Sequence, residues 1–222
     1  MKDSDRRIDG RSGWERRLRD ALADTSDAEP RPMSRMELPL NIDKLIESEF
    51  LTTLRRAAVL VPIVDRPDGA TLVLTQRSEQ LRSHKGQISF PGGRCDDGDA
   101  DAVDTALREA DEEIGLPRRA VEVIGYLDDY PTLSRYRVTP VVGIIRELPP
   151  LRIDAAEVAA AFEVPLSRVL DPESYEQKQL LRGAVKLPFY ELQWQQYRIW
   201  GATAGMLWDL CCKFNGRDEV GA

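Results

Sequence analysis

Residues 90–116 read FPGGRCDDGDADAVDTALREADEEIGL, and this stretch decides the fold of the chain. Its apolar residues recur at intervals of three and four, which is typical of the buried stripe of an amphipathic helix. The stripe consists of Val103, Ala106, Leu107, Ala110 and Ile114. Asp99 is a candidate N-cap, and Gly115 followed by Pro117 is a stop signal. The pattern therefore predicts one helix between Asp99 and Gly115.

Three glutamates lie beside this apolar stripe. At about 100° per residue, Glu112 and Glu113 lie on either side of Glu109, so the three carboxylates share a face. Like charges four residues apart destabilise a helix by roughly 0.2–0.5 kcal/mol per pair, and Arg108 is the only cation immediately beside them. A hard divalent cation such as Mg²⁺ would reverse that repulsion, because it prefers carboxylate and carbonyl oxygens. An isolated glutamate-rich face is usually just solvated, so the flanking residues decide between the two readings.

Those flanking residues resemble the Nudix box, a helical motif of the form G-x5-E-x7-R-E-U-x-E-E-x-G-U. The chain has Phe-Pro-Gly-Gly at 90–93 and Arg-Glu-Ala-Asp-Glu-Glu-Ile-Gly-Leu at 108–116. It departs from the motif at Asp99, which stands where the family usually has glutamate. Eight residues rather than seven separate Asp99 from Arg108.

The resemblance implies a role for each charged residue of the box. Glu109 and Glu113 would be the principal metal ligands, with Glu112 as an additional ligand or a participant in water activation. The backbone carbonyl of Gly93 can also face a metal in this family. Arg108 would orient the glutamates through a charge-assisted hydrogen bond. The implied catalytic residues are thus Arg108, Glu112 and Glu113, and the implied cofactor is Mg²⁺ or Mn²⁺.

The segment before the box resembles one particular branch of the Nudix family. Residues 73–93 read VLTQRSEQLRSHKGQISFPGG. This is similar to the L-L-T-x-R-[S/A]-x3-R-x3-G-x3-F-P-G-G signature of the coenzyme A pyrophosphatase branch, with Val73 in place of the first leucine. It places Arg77, Arg82, Lys85 and Gly86 as candidate substrate-binding residues. Arginine suits bidentate contact with phosphate, and glycine allows close approach of a backbone. A solvated basic loop is the alternative interpretation of the same residues.

The resemblance covers roughly residues 54–214 and implies an α+β Nudix fold, with a mixed β-sheet sandwiched between α-helices (α/β/α). The implied reaction is metal-dependent hydrolysis of the pyrophosphate of coenzyme A or its derivatives to adenosine 3′,5′-bisphosphate and 4′-phosphopantetheine. Two alternatives stay open. The chain could be a broader nucleoside diphosphate-X or nucleoside triphosphate pyrophosphohydrolase, or a non-catalytic nucleotide-sensing protein of the same fold.

The rest of the chain supplies the other elements. Short β-branched and apolar runs predict strands at 57–64, 71–74, 121–126, 138–145, 184–190 and 196–200. The turn signal at 66–69 makes the first two a hairpin, and helical spacing predicts a last helix at about 202–214. We expect an N-terminal helical extension and linker at 1–50, with Trp14, Leu18 and Leu22 on one docked face. The Nudix domain would occupy 51–216 and a tail 217–222.

Composition excludes several classes of function. A net charge of −7 disfavours counterion-release binding to nucleic acid. No apolar run approaches the roughly 18 residues that span a bilayer, and the N-terminus has no secretory signal pattern, so we expect a cytoplasmic protein that does not bind membranes. Three irregularly spaced cysteines and a single histidine argue against a disulfide framework and against zinc. The expected partner is a small-molecule substrate, and the expected state is a monomer or homodimer.

Overall fold

The computed structural model describes residues 10–31, 51–81, 84–182 and 185–216. The helices that position the site within these ranges are α1 (Gly10–Leu22), α2 (Ala102–Ile114), α3 (Leu166–Val169) and α4 (Ala202–Phe214). The strands of the main sheet are β1 (Arg55–Val64), β2 (Thr71–Arg77), β3 (Ile88–Ser89), β4 (Gly92–Arg94), β5 (Glu122–Tyr126), β6 (Tyr130–Pro131), β7 (Tyr136–Ile145) and β8 (Val158–Pro165). A second sheet contains β9 (Tyr175–Arg182), β10 (Val185–Trp194) and β11 (Tyr197–Trp200).

The main sheet is mixed, and β1 lies at its centre. Strands β1 and β7 pair in parallel over their whole lengths, while the other pairs of this sheet are antiparallel. The strand order is β3-β2-β1-β7-β5, with β4 on β1, β6 on β7 and β8 on β2. A central strand is covered on both faces, which explains the nearly continuous apolar run of β1. The predicted β1–β2 hairpin is confirmed by the pair Ile63 and Leu72.

Helices cover both faces of this sheet. On one face, α2 packs Ala106, Ala110 and Ile114 against a cluster that includes Leu60 and Val141. On the other face, α1 and α4 share a second cluster with the opposite sides of the same strands. The predicted α+β fold, with a mixed sheet between α-helices, is therefore confirmed.

Helix α1 belongs to the second of these clusters. Its residues Trp14, Leu18 and Leu22 are all buried, as their helical spacing predicts for a docked face. Residues 32–50 and 217–222 lie outside the described part of the chain, and the division of the chain after residues 50 and 216 stays a prediction.

The second sheet is antiparallel and packs beside α4. Strands β10 and β11 correspond to predicted runs, whereas β9 was not predicted, and neither was β8 of the main sheet. Strand β9 reads YEQKQLLR and β8 reads VAAAFEVP. Polar residues and alanine are both uncommon in strands, so neither run carries a local strand signal. Each is a strand because of its partner, β10 for β9 and β2 for β8.

Candidate functional site

Two glycines of β4 bring the backbone of the Gly-Gly turn against the glutamates of α2. Gly92 has φ +151°, and a Cβ there would lie 2.5 Å from the carbonyl oxygen of Ala58 on β1. A Cβ on Gly93 would lie 2.5 Å from Oε1 of Glu109. Glycine at 92 thus allows β4 to pair with β1, and glycine at 93 leaves the space that the Glu109 carboxylate occupies.

Glu113 is the most buried carboxylate of the predicted set, with 2% of its surface exposed. Its Oε2 accepts a 3.3 Å hydrogen bond from the Gly92 backbone N–H, and its Oε1 lies 3.8 Å from Nη1 of Arg77. Burial raises the pKa of Glu113 to about 8, against the opposing charge of Arg77 and the bond from Gly92. A carboxyl group this poorly solvated favours either a proton or a nearby cation.

The other two glutamates are progressively more exposed. Burial also raises the pKa of Glu109, although the hydrogen bond from Arg108 opposes that change. The side chain of Glu112 is 61% exposed and reaches solvent. The solvent exposure of the three carboxylates therefore increases from Glu113 through Glu109 to Glu112. The three groups are chemically identical, but each is solvated to a different degree.

Arg108 forms hydrogen bonds with three carboxylates, those of Asp99, Glu109 and Glu112. Its Nε and Nη2 donate to the two carboxylate oxygens of Asp99, each at 2.9 Å, and its Nη1 donates to Glu109 at 3.0 Å and to Glu112 at 3.1 Å. Its Nη2 also reaches the carbonyl oxygen of Arg94 at 3.2 Å. This bidentate bond holds the pKa of Asp99 well below its usual range. The guanidinium is thus fixed by Asp99 and in turn fixes the outer two glutamates.

The prediction of Asp99 as the N-cap of α2 is wrong. The N-cap is Asp101, whose carboxylate accepts a 2.8 Å bond from the backbone N–H of Asp104. Asp99 binds Arg108 and also accepts a hydrogen bond from the Thr105 hydroxyl. A guanidinium offers a carboxylate two charge-assisted bonds, and this outweighs a single bond from a helix N–H. The other boundary is as predicted, because Gly115 ends α2 with φ +66°.

Arg77 is a second cation beside the glutamates, although Arg108 is the only one close to them in sequence. Arg77 stands at the end of β2, and its Nε is buried without a hydrogen-bond partner among the described residues. An unsatisfied buried donor costs about 1–3 kcal/mol, so this group is suited to an incoming acceptor. The signature at 73–93 predicted Arg77 as a substrate-binding residue, and the fold places its Nη1 3.8 Å from Oε1 of Glu113.

The other candidate substrate-binding residues lie in the connection between β2 and β3. Gly86 has φ +64°, donates its N–H to the Arg77 carbonyl at 3.1 Å, and leaves no room for a Cβ next to Glu79. Lys85 is exposed in the same turn. Arg82 lies outside the described residues. Of the four, the structure thus brings Arg77 to the glutamates, and Gly86 contacts the backbone of Arg77.

A fourth carboxylate near this site was missed by sequence reasoning. Glu157 lies in the loop before β8, and its charge raises the pKa of both Glu109 and Glu113. The loop is held in place because the Asp154 N–H donates to the Glu113 carbonyl and the Ser78 N–H donates to the Glu157 carbonyl, at 2.9 and 2.8 Å. Nothing in the sequence near Glu157 signals this placement.

The donor set fits a hard divalent cation in type and in charge. Glu109 and Glu113 are two desolvated carboxylates beside each other, and a cation would offset the cost of that arrangement. Among the described residues, no three His, Cys, Asp or Glu side chains form a group that could hold a metal as they stand.

A mixed sheet that carries a glutamate helix behind a Gly-Gly turn defines a class of hydrolases that act on pyrophosphate bonds. The family model of the NUDIX domain matches residues 54–182, and the chain belongs to this family. It is therefore a Nudix hydrolase, whose family acts on small nucleotide substrates and generally uses divalent metal ions. No helix in the described part of the chain is long and apolar enough to span a membrane.

Two curated relatives support this assignment, and two solved structures also resemble the chain. Proteins named uncharacterized Nudix hydrolase NudL, from Escherichia coli (strain K12) and Shigella boydii serotype 18, are 47% identical over 156 residues, covering 70% of this chain and 81% of theirs. An Ap4A hydrolase binary complex from C. elegans matches with 19% identity and TM-score 0.44, covering 50% of this chain and 80% of that one. The Nudix hydrolase RenU from M. smegmatis matches with 22% identity and TM-score 0.45, covering 52% and 73%.

Proposed function

We propose that this Nudix hydrolase cleaves the pyrophosphate of coenzyme A or its derivatives, releasing adenosine 3′,5′-bisphosphate and 4′-phosphopantetheine. The 73–93 signature is the observation that carries the proposal, because it specifies residues well beyond the Nudix box. The position of Arg77 supports it, since Nη1 of this first arginine of the signature lies 3.8 Å from Oε1 of Glu113 and its Nε has no hydrogen-bond partner among the described residues. A phosphate oxygen would satisfy that donor.

In this proposal the box residues hold Mg²⁺ or Mn²⁺. Glu109 and Glu113 are the principal ligands, Glu112 is an additional one, and the Gly93 carbonyl completes the protein's contribution. When bound, such a cation supplies Lewis acidity toward water and phosphate oxygens. The desolvation of Glu109 and Glu113 supports this assignment, because a buried pair of carboxylates without a cation is unfavourable.

The chain's own residues then prepare the attacking water and the substrate. As the alternative to binding metal, Glu112 accepts the water proton from the edge of the site, where its side chain reaches solvent. A positioned general base contributes about 10²- to 10⁴-fold. Arg108 keeps Glu109 and Glu112 in place through its 3.0 and 3.1 Å bonds. Glu113 would bind the metal at the buried end of the site, where its carboxylate also accepts the hydrogen bond from the Gly92 N–H.

Recognition of coenzyme A requires more cationic groups than recognition of a simple nucleoside diphosphate. The molecule carries a pyrophosphate and a separate 3′-phosphate. We assign Arg77 to the pyrophosphate, because it lies beside Glu113 and its buried Nε has no hydrogen-bond partner among the described residues, whereas Arg108 already donates to Asp99, Glu109 and Glu112. Arg82 and Lys85 follow it in the same signature and are assigned to the remaining phosphate, with Gly86 allowing the backbone to approach.

The experiment that tests the reaction is incubation of the purified chain with coenzyme A and Mg²⁺, followed by mass analysis of the products. We expect adenosine 3′,5′-bisphosphate and 4′-phosphopantetheine in equal amounts. Turnover of nucleoside triphosphates or ADP-ribose but not of coenzyme A would favour the broader pyrophosphohydrolase. Nucleotide binding without turnover of any of these compounds would favour the sensor.

A variant tests the assignment of the 3′-phosphate. Arg82→Ala should lower kcat/KM for coenzyme A by about ten- to a hundred-fold, the loss expected from one charge-assisted hydrogen bond. It should leave 3′-dephospho-coenzyme A nearly unaffected. Arg119→Ala, which removes an exposed arginine elsewhere, serves as the matched control. Equal losses on both substrates would move Arg82 to the pyrophosphate.

We further propose a cytoplasmic monomer or homodimer that binds neither nucleic acid nor membranes. Light scattering after gel filtration tests the subunit count, and a larger assembly would contradict it. Cell fractionation tests the location, and recovery of the protein with the membrane pellet would contradict it.

A further inference from the structure

Residues 23–31, here the N-terminal strap, cross the edge of the main sheet at β5. The Thr25 hydroxyl accepts a 2.9 Å hydrogen bond from the Tyr126 backbone N–H. Gly125 has φ +146°, and a Cβ on it would lie 2.7 Å from Cβ of Leu22 and 2.8 Å from the Thr25 hydroxyl. Any side chain at 125 would push the strap away. The chain therefore passes from α1 on one face of the sheet toward α2 on the other in direct contact with β5.

The far end of the strap is fixed by Arg31. Its backbone N–H donates to Oδ2 of the buried Asp129 at 2.9 Å, and the Asp129 N–H donates back to the Arg31 carbonyl at 2.8 Å. Its guanidinium donates twice to the Leu127 carbonyl, at 2.8 and 3.2 Å, and lies over the Tyr126 ring. These bonds join the strap to the sheet at a second point.

Between these two points the strap reaches the glutamate helix. Oδ2 of Asp27 accepts a 3.1 Å hydrogen bond from the backbone N–H of Ala102, the first residue of α2. The side chain of Asp101 is bound to Asp104, so Asp27 supplies an acceptor that the helix's own N-cap does not. The first turn of α2 is thus held in part by a residue 75 positions earlier in the chain.

The first turn of α2 is connected to Arg108 through Asp99, which precedes the helix. Asp99 precedes Ala102 by three residues and receives the Thr105 hydroxyl from inside the turn. The same carboxylate accepts the bidentate bond of Arg108. If the first turn moves, the hydrogen bond from Thr105 moves Asp99, and the hydrogen bonds between Asp99 and Arg108 then move the guanidinium.

We propose that the N-terminal strap is part of the active site's supporting structure and that Asp27 is a positioning residue. By holding the first N–H of α2, Asp27 fixes Asp99 and Arg108 and, through Arg108, the carboxylates of Glu109 and Glu112. The inference rests on the proposed function for its consequence in catalysis. The strap lies before residue 54, where the match to the family begins, so this support is added to the family domain by the chain's own N-terminal segment.

The test compares three variants of the full chain. Asp27→Ala removes the acceptor, Asp27→Asn keeps an oxygen acceptor without the charge, and Asp24→Ala removes an exposed aspartate of the same strap. Three quantities are measured for each: the ¹⁵N–¹H signal of the Arg108 side-chain Nε, the affinity for Mn²⁺ by electron paramagnetic resonance, and kcat and KM for coenzyme A.

We expect Asp27→Ala to move the Arg108 signal and to weaken Mn²⁺ binding by about three- to ten-fold. This is less than the roughly ten- to a hundred-fold loss typical when a residue that hydrogen-bonds directly to a metal ligand is removed, because Asp27 reaches the glutamates only through Asp99 and Arg108. kcat should fall by a similar factor, with KM changed less than about two-fold. Asp27→Asn and Asp24→Ala should stay close to wild type.

The inference is overturned if Asp27→Ala lowers the thermal midpoint but leaves the Arg108 signal and Mn²⁺ affinity at wild-type values, since Asp27 would then only stabilise the fold. A shift of equal size in Asp24→Ala would also overturn it. The Arg108 signal needs neither metal nor substrate. A wild-type protein that fails to hydrolyse coenzyme A would contradict the proposed function, while the contrast between positions 27 and 24 in this signal would still decide the inference. Should Asp27→Ala not fold, Asp27→Glu, whose longer side chain displaces the carboxylate from the Ala102 N–H, is compared with Asp27→Asn, and equal Arg108 signals and Mn²⁺ affinities in these two variants would overturn the inference.

Discussion

Alanine at position 93 would place a methyl carbon where the Glu109 carboxylate lies. The Cβ of Gly93→Ala would be 2.5 Å from Cδ and from Oε1 of Glu109, and the carboxylate would have to move by about 0.9 Å to reach an ordinary contact of 3.4 Å. Gly93 does not have a positive φ, so its backbone accepts alanine. The colliding atoms are the end of a flexible side chain, which moves at little cost in free energy.

The expected result is therefore a loss of activity that is far larger than the loss of stability. A misplacement of about 1 Å in a catalytic group can cost about 10²-fold, so kcat for hydrolysis with Mg²⁺ should fall by roughly ten- to a hundred-fold. The free energy of unfolding should change by less than about 1 kcal/mol, because restricting the unfolded chain offsets part of the strain. Steady-state kinetics and urea unfolding measure the two quantities.

The control is Gly98→Ala in the same loop. A Cβ on Gly98 would have no atom of the described residues within 4 Å, so this variant should match wild type in both measurements. Near-wild-type kcat for Gly93→Ala would refute the reasoning, because it would mean that the position of the Glu109 carboxylate does not matter for turnover. A collapse of stability in Gly93→Ala would refute the claim that the Glu109 carboxylate can shift by about 0.9 Å at little cost in free energy.

The remaining predictions concern charge. Glu109→Gln and Glu113→Gln should each remove most turnover while the circular dichroism spectrum stays unchanged, and near-wild-type activity in either would exclude it as a ligand. EDTA should abolish hydrolysis, and Mg²⁺ or Mn²⁺ should restore it; full activity in excess EDTA would point to another mechanism. The hydrogen bond from Arg146 lowers the pKa of Glu15 from 4.5 to about 2, so its stabilisation of docked α1 is present above pH 4.5 and is lost as the pH falls toward 2. Glu15→Gln should accordingly cost about 1 kcal/mol at pH 7, since Arg146 is half exposed, and the gap should narrow below pH 4.5 and close near pH 2; a gap independent of pH would contradict this.

Local spacing was enough to predict the elements whose burial pattern repeats within a few residues. The stripe from Val103 to Ile114 gives α2, the turn signal at 66–69 gives the first hairpin, and the last helix follows from the same periodicity as α2. These features depend on neighbours one to four positions apart, which the sequence displays directly.

The parts of the site that were not predicted depend on distant pairs. Asp99 is of a residue type that commonly caps the N-terminus of a helix. Only the folded structure, which brings Arg108 from nine residues later against its carboxylate, shows that it is an ion-pair partner. Glu157 lies near the glutamates because β8, which follows it, pairs with β2. Arg77 was predicted as a substrate-binding residue, but its contact with Glu113 likewise joins residues far apart in the sequence. The bond from Asp27 to α2 depends on the path of the strap around β5. Such contacts depend on the whole fold, so no local sequence pattern predicts them.

A competition assay measures the central claim most directly. Coenzyme A, ADP-ribose and ATP are mixed at equal concentrations with Mg²⁺ and the purified chain, and the initial rates of loss give the ratios of kcat/KM in one experiment. We predict that coenzyme A is consumed at least about tenfold faster than either competitor, the discrimination that one extra charge-assisted phosphate contact provides. Equal consumption of all three, or a preference for ADP-ribose or ATP, would contradict the assignment of this chain to coenzyme A.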